Sequence, residues 1–320
     1  TRPKSSAASD VYKRQMYSDP NSVKRISSLG AGPIGGGWTA HFLARGYDVT
    51  AYLHDKSETN SFMSILKTAW VSLAELGLAP GASMDRLRIV TDLEEALEGA
   101  DFVQESGPER LEVKKELYSE MGKILPPSII IGSSTSGLMM SDIQSDCSTP
   151  ERTVIGHPFN PPYLLPLVEI VGGKRTAPEA VAWAGEFYKV AGKAPLMMKK
   201  EIPGFVATRL QEALWREALH MVANDEATPE DIDNALMNGP GPRMAAQGQC
   251  MAFHVACGAG GMATNLDQFG PALKLPWTRL EAPELTKELR IGWLMAAMQW
   301  LRIKPLRTWS LSVTAKSLQF

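Results

Sequence analysis

His157 follows the apolar run "TVIG" (153–156), and Glu169 stands twelve residues further on, inside "LVEI" (167–170). A neutral imidazole whose pKa lies near working pH suits the removal of a hydroxyl proton. A carboxylate on an adjoining strand accepts the other ring N–H, fixes the tautomer and stabilises the imidazolium, as in hydrolase triads. Pro158, Pro161 and Pro162 stiffen the turn between them, which also carries Asn160. A second strand-end stretch, "SSTSGL" at 133–138, offers hydroxyl groups for the same site.

Base chemistry on an alcohol needs a hydride acceptor, and the chain supplies a place for one. Gly30, Gly32 and Gly35 spell G-A-G-P-I-G, with Pro33 and Ile34 between the second and third glycines. The first glycine makes the tight turn and the second lets the backbone approach a pyrophosphate. The third permits close packing of helix on sheet, while the helix N-terminus offers N–H groups to the phosphates. A carboxylate for the adenosine ribose is expected roughly 20 residues later, at the end of the second strand. Leu53 occupies that strand end and Asp55 comes two residues after it. Either Asp55 reaches the ribose through a shifted turn or no acid does. No arginine stands there for a 2′-phosphate, which favours NAD, and His54 and Lys56 keep NADP open.

Positioning these groups requires strands that end at one edge. "VKRISSLG" leads through the glycine loop into the helical "WTAHFLARG" and then the strand "YDVTAYL". Further strands are expected at 87–90, 100–105 and 128–133, alternating with helices at 92–98 and 110–124. Another helix near 178–190 precedes a strand at "APLMMKK". This alternation predicts an α/β fold with a doubly wound parallel sheet. At "EIPGF" the pattern changes to a long helix over 203–225 and a second helix opening at "TPEDIDNAL", with Thr228 as N-cap and Pro229 at N1. The expected organisation is a polar leader over 1–15, with Met16 as the start of the native chain. A Rossmann domain over 16–200 and an all-helical domain over 201–320 follow, and the pattern is lost again after Ile303.

Bulk composition narrows the partners. Lys and Arg total 33 against 35 Asp and Glu, so no net field recruits nucleic acid or an anionic membrane, and a small molecule is the expected partner. No apolar run reaches the roughly 20 residues of a membrane span. Cys147, Cys250 and Cys257 are odd in number and lack CxxC spacing. That argues against a zinc site or a disulfide framework and for a cytoplasmic setting.

In order along the chain, G-A-G-P-I-G, "ESGPERLEVKKEL" (105–117), "SSTSGL", "GHPFNPP", "LVEI" and "PGFVATRL" resemble the 3-hydroxyacyl-CoA dehydrogenase superfamily over about 23–240. The resemblance implies NAD as cofactor and His157 with Glu169 as the catalytic pair. It further implies that Ser136 hydrogen-bonds the reacting oxygen, that Asn160, Glu109 and Lys114 lie by the nicotinamide half of NAD, and that the protein is a homodimer. Two residues depart from the pattern: Leu53 replaces the strand-end aspartate, and Thr208 stands where acyl-CoA enzymes carry asparagine. Residues 56–80 hold only Lys56 and Lys67 to meet a CoA phosphate, which points to a short, CoA-free substrate.

"NGPGPRMAAQGQCMAFHVACGAGGM" and "DQFGPALKLPWTRLEAPELT" resemble the branch of this superfamily that oxidises L-carnitine to 3-dehydrocarnitine. A quaternary ammonium cannot donate a hydrogen bond, so its binding relies on cation–π and apolar contact. Phe253, Phe269 and Trp277 are the candidate rings and Arg243 the partner for a carboxylate, while Met244 stands where this branch is expected to carry tryptophan. Acyl-CoA and L-gulonate-type 3-hydroxy acid dehydrogenases share the same catalytic groups, and a non-catalytic nucleotide-binding or crystallin-like protein shares the fold.

Overall fold

The computed structural model describes residues 17–270 together with 275, 276, 278, 279 and 286–288. The leader expected at 1–15, Met16, Trp277 and the stretch from 303 lie outside the described residues. The chain divides into two units, Thr1–Thr208 and Arg209–Phe320.

The first unit is built on one eight-stranded sheet. Its strands are β1 (Arg25–Leu29), β2 (Asp48–Tyr52), β3 (Leu87–Val90), β4 (Phe102–Glu105), β5 (Ile130–Ser133), β6 (Thr153–Pro158), β7 (Leu167–Gly172) and β8 (Ala194–Met197). They lie in the order β3-β2-β1-β4-β5-β6-β7-β8. The helices of this unit are α1 (Pro33–Ala44), α2 (Thr59–Leu76), α3 (Leu93–Leu97), α4 (Leu111–Ile124), α5 (Met140–Ile143) and α6 (Pro178–Val190). The doubly wound α/β architecture expected from the sequence is present.

Strands covered on both faces read as unbroken buried runs, and β4, β5 and β6 are buried at every residue. One face carries an aromatic layer, with Phe102 4.2 Å from Phe187 and Trp38 stacked on Phe42 at 5.0 Å between ring centres. The opposite face packs Tyr118, Met121, Ile131, Met140 and Phe205. Helix α1 has no polar side, being buried from Gly35 to Ala44. It is therefore a core element as well as the support of the glycine loop.

The sheet departs from a wholly parallel one after β6. Strands β1 to β6 run parallel, whereas β7 pairs antiparallel with β6, and β8 follows β7. Residues 159–166, which join β6 to β7, are eight in number. That is too short for the crossover of a dozen or more residues that a parallel return needs. The reversal sets His157 directly across from Glu169.

The residue that opens β6 is anchored from below. Arg152, fully buried, donates from Nη1 to the carbonyls of Pro126 (2.6 Å) and Ile129 (3.0 Å) and from Nη2 to those of Met121 and Leu125 (3.2 Å each). It thereby adds donors to carbonyls at the C-terminal end of α4 and seats β6 on that helix.

In the second unit every regular element among the described residues is helical. Helix α7 (Ala207–Ala223) begins just before the unit, and α8 (Pro229–Asn238), α9 (Pro240–Gln247), α10 (Gln249–Ala256) and α11 (Gly261–Phe269) follow. Thr228 caps α8 as expected, its hydroxyl accepting the Asp231 N–H at 3.1 Å while the Asp231 carboxylate accepts the Thr228 N–H at 3.1 Å. Arg279 bridges Glu217 and Glu226 at 3.1 and 2.7 Å. No helix among the described residues is long and apolar enough to cross a membrane.

Replacing Arg152 by methionine removes four hydrogen bonds made by a fully buried guanidinium. The variant is expected to lose about 2–4 kcal/mol of stability, read as a lower urea midpoint with an unchanged slope.

Candidate active site

The parallel register aligns Leu29, Glu105 and Ser133 across β1, β4 and β5, with Ile155 of β6 next in line. The glycine loop, the segment 106–109, the segment 134–137 and His157 therefore all leave the sheet at its C-terminal edge. The chain reverses its winding between β1 and β4, and ligands of doubly wound sheets bind at that kind of edge and switch point.

The loop fits a dinucleotide. Gly30 has φ of 123°, and a Cβ there would lie 2.4 Å from the Ser106 carbonyl oxygen. A Cβ at Gly35 would lie 2.1 Å from the Gly30 oxygen, so the chain's own packing forbids a side chain at either position. At Gly32 a Cβ would meet nothing within 4 Å, which leaves the approach open for a phosphate. Pro33 opens α1 and no side chain caps the helix, so its first N–H groups stay available to an anion.

The ribose end differs. Leu53 extends the β2 ladder through its N–H to the Val90 carbonyl (3.0 Å), and its side chain is fully buried in the core. Asp55 is exposed and caps the turn Lys56–Glu58, accepting the Ser57 N–H at 2.7 Å. Hydrogen bonds from Ser57 hold its carboxyl below the usual range.

His157 is 7% exposed and its Nδ1 lies 3.0 Å from Oε2 of the fully buried Glu169. The other oxygen, Oε1, accepts the N–H groups of Val206 (2.9 Å) and Ala207 (2.7 Å) at the start of α7. Burial pushes the Glu169 pKa up, but the hydrogen bonds from His157, Ala207 and Val206 outweigh it and hold the carboxyl below its ordinary value. An ionised carboxylate only accepts, so Nδ1 carries the ring hydrogen and Nε2 keeps its lone pair. Nε2 has no protein partner among the described residues. The imidazole is thus a base with its tautomer set.

The turn that delivers those two N–H groups was not foreseen. The helix expected from residue 203 begins at Ala207, because Pro203, Gly204 and Phe205 form a turn. Phe205 adopts φ of 51°, a conformation unusual for a side chain of its size, and its buried ring centre lies 5.5 Å from that of His157.

Glu109 is exposed, and its Oε1 accepts from Thr135 Oγ1 (2.5 Å), the Ser136 N–H (2.9 Å) and the Gly137 N–H (3.2 Å), with Ser136 Oγ at 3.4 Å. The carboxylate shapes the turn that presents Ser136. Lys114 is buried, its Nζ 2.6 Å from Glu105 Oε1 and 3.8 Å from Glu109 Oε2. Glu105 also accepts from Ser133 Oγ (2.6 Å) and the Gly107 N–H (2.6 Å). Glu105 escaped the sequence reading, and its signal was an acid closing the apolar strand "FVQE". Asn160 is exposed and has no side-chain hydrogen bond among the described residues. Arg243, Phe253 and Phe269 belong to the second unit; the two rings are 42% and 50% exposed.

Residues 25–202 match the NAD binding domain model of 3-hydroxyacyl-CoA dehydrogenase, and residues 204–294 match the model of its C-terminal domain. The chain belongs to the 3-hydroxyacyl-CoA dehydrogenase family. Its cofactor is NAD and its chemistry is that of a dehydrogenase. Among its family relatives, the L-carnitine dehydrogenase of Streptomyces coelicolor is 56% identical over 270 residues, 84% of this chain and 85% of the relative. That of Pseudomonas putida is 50% identical over 267 residues, 83% of each. A solved NAD⁺-dependent dismutase, 5-formyl-3-hydroxy-2-methylpyridine 4-carboxylic acid 5-dehydrogenase, superposes with a TM-score of 0.76 at 30% identity, covering 92% of this chain and 97% of its own.

Two expectations follow. With no arginine at the end of β2 to meet a 2′-phosphate and the exposed carboxylate of Asp55 two residues beyond Leu53, NADP⁺ should bind at least roughly tenfold more weakly than NAD⁺ by calorimetry, about 1.4 kcal/mol. Because the folded Glu169 binds its proton less readily than the unfolded one, its stabilisation is full at neutral pH and fades as pH falls through the folded pKa. Glu169→Gln should therefore cost about 1.5–3 kcal/mol at pH 7, with the gap to wild type narrowing in urea titrations at progressively lower pH.

Proposed function

We propose that this chain oxidises the 3-hydroxyl of L-carnitine to 3-dehydrocarnitine with NAD⁺. The observation that carries the chemistry is the buried Glu169 carboxylate holding the Nδ1 hydrogen of His157, which leaves Nε2 as a base at the edge where the glycine loop opens. The substrate assignment is supported by the 56% and 50% identities to L-carnitine dehydrogenases.

NAD⁺, when bound, supplies the acceptor for the hydride from C3. Gly30, Gly32, Pro33, Ile34 and Gly35 would hold its pyrophosphate, and Asn160, Glu109 and Lys114 would lie by its nicotinamide half. His157 Nε2 takes the hydroxyl proton as the C–H bond breaks, and Glu169 stabilises the imidazolium that forms. Ser136 donates to the reacting oxygen, its turn held by Glu109. Proton and hydride leave the same carbinol, so the product is the ketone.

The reading extends to a cytoplasmic homodimer. Leu210, Leu214, Met251, Val255, Leu266 and Phe269 in the second unit are each at least half exposed, the kind of apolar surface a second copy covers.

His157→Ala should lower kcat by about 10²–10⁴-fold while the NAD⁺ dissociation constant stays within a factor of two. A variant with near-normal kcat would end the proposal for the base. NADH formation from L-carnitine, 3-hydroxybutyryl-CoA and L-gulonate tests the substrate: carnitine is expected to be turned over fastest, and a preference for either of the others would replace it.

A further inference from the structure

Lys193 is 8% exposed and has no carboxylate partner among the described residues. Its Nζ donates to the carbonyls of Pro162 and Leu165 (the latter at 3.2 Å) and lies 5.2 Å from the centre of the Trp38 ring. The other charged or titratable groups around it are His41 and Arg45, both from α1 or its C-terminal cap. His41 is fixed by its own bond from Nε2 to the Ala191 carbonyl (2.8 Å). A buried cation without an anion is costly unless its N–H groups are bonded, and here both bonds go to carbonyls of one connection.

What it holds is the 159–166 connection between the His157 and Glu169 strands. Both carbonyls belong to that connection, whereas Trp38 belongs to α1, the helix whose first turn is the dinucleotide loop. The same contact is reinforced by Pro162, whose ring lies 2.7 Å from where a Cβ on Gly37 of α1 would stand.

We propose that Lys193 is a positioning residue for the reaction, fixing the separation between the His157 imidazole and the dinucleotide loop by tying the 159–166 connection to α1. The proposal rests on the role given to His157 above. An amine has two N–H groups even when neutral, so the tie to two carbonyls survives deprotonation and only the attraction to the ring needs the charge.

Lys193→Met keeps the stem and removes the donors. Misplacement of a base by about 1 Å costs up to roughly 10²-fold, so kcat is expected to fall at least tenfold with the NAD⁺ dissociation constant unchanged. The primary isotope effect with C3-deuterated carnitine should rise as hydride transfer becomes slower. Lys193→Gln, which keeps two N–H donors on a shorter, uncharged side chain, should lie between, and decides the matter by the same measurements if the methionine variant does not fold.

A further readout does not use turnover. Burial, aided by Arg45, lowers the Lys193 pKa to about 7 from 10.5. Between those values the unfolded chain binds the extra proton, so wild-type stability should rise with pH across that window, and the methionine variant should lack this rise. Wild-type kcat and isotope effect in the variant would overturn the proposal even if its Tm fell, as would an identical pH slope of stability. If His157→Ala stays active, the base assignment fails instead, so the two failures are separable.

Discussion

One buried carboxylate organises the reactive end of this molecule. Glu169 uses one oxygen to orient the His157 imidazole and the other to close the first N–H groups of α7. Buried without donors, such a group would take up a proton and lose its hold on the ring; three donors keep it ionised. Strand pairing, the helix start and the tautomer of the base therefore depend on the same few ångströms. The antiparallel return of β7 is what makes this possible, since only residues directly opposite in register bring a side chain from each strand to one spot.

A second buried charge serves a different purpose. Lys114 and Glu105 neutralise each other beneath the strand ends, and Glu105 also gathers Ser133 and the Gly107 N–H. Nothing in this pair needs to change charge during a reaction. It fixes the ends of β4 and β5 and the start of α4, leaving the exposed Glu109 to shape the 135–137 turn. The site thus combines the hydrogen-bonded His157–Glu169 pair at β6 and β7 with a buried ion pair at β4 and α4, and both stand on the same sheet edge.

Features governed by local rules were legible in the sequence. The glycine loop, the Thr228 cap and the spacing of His157 and Glu169 each follow from a steric or hydrogen-bonding demand that acts within a few residues or along one strand. The reversal after β6 could have been read too, because an eight-residue connection admits no crossover. Contacts that depend on tertiary placement were not legible. Lys114 resembles a solvated helix-start lysine until β4 ends beneath it, and the left-handed Phe205 has no mark in a residue type that rarely adopts that conformation. Nor does "GKAP" disclose that its lysine bonds the loop that follows His157.

Leu53 bears on how much of the cofactor contact such an enzyme needs. A ribose carboxylate is far from the carbon that receives hydride, so its hydrogen bonds are the same in ground and transition state. Interactions of that kind tighten binding without raising kcat. The groups proposed to act in the transition state, the imidazole, its carboxylate and the serine turn, stand at other strand ends of the same sheet. On the proposed reading, an apolar residue at position 53 loosens the adenosine half and leaves the chemical step intact, so a buried leucine there is compatible with a working dehydrogenase.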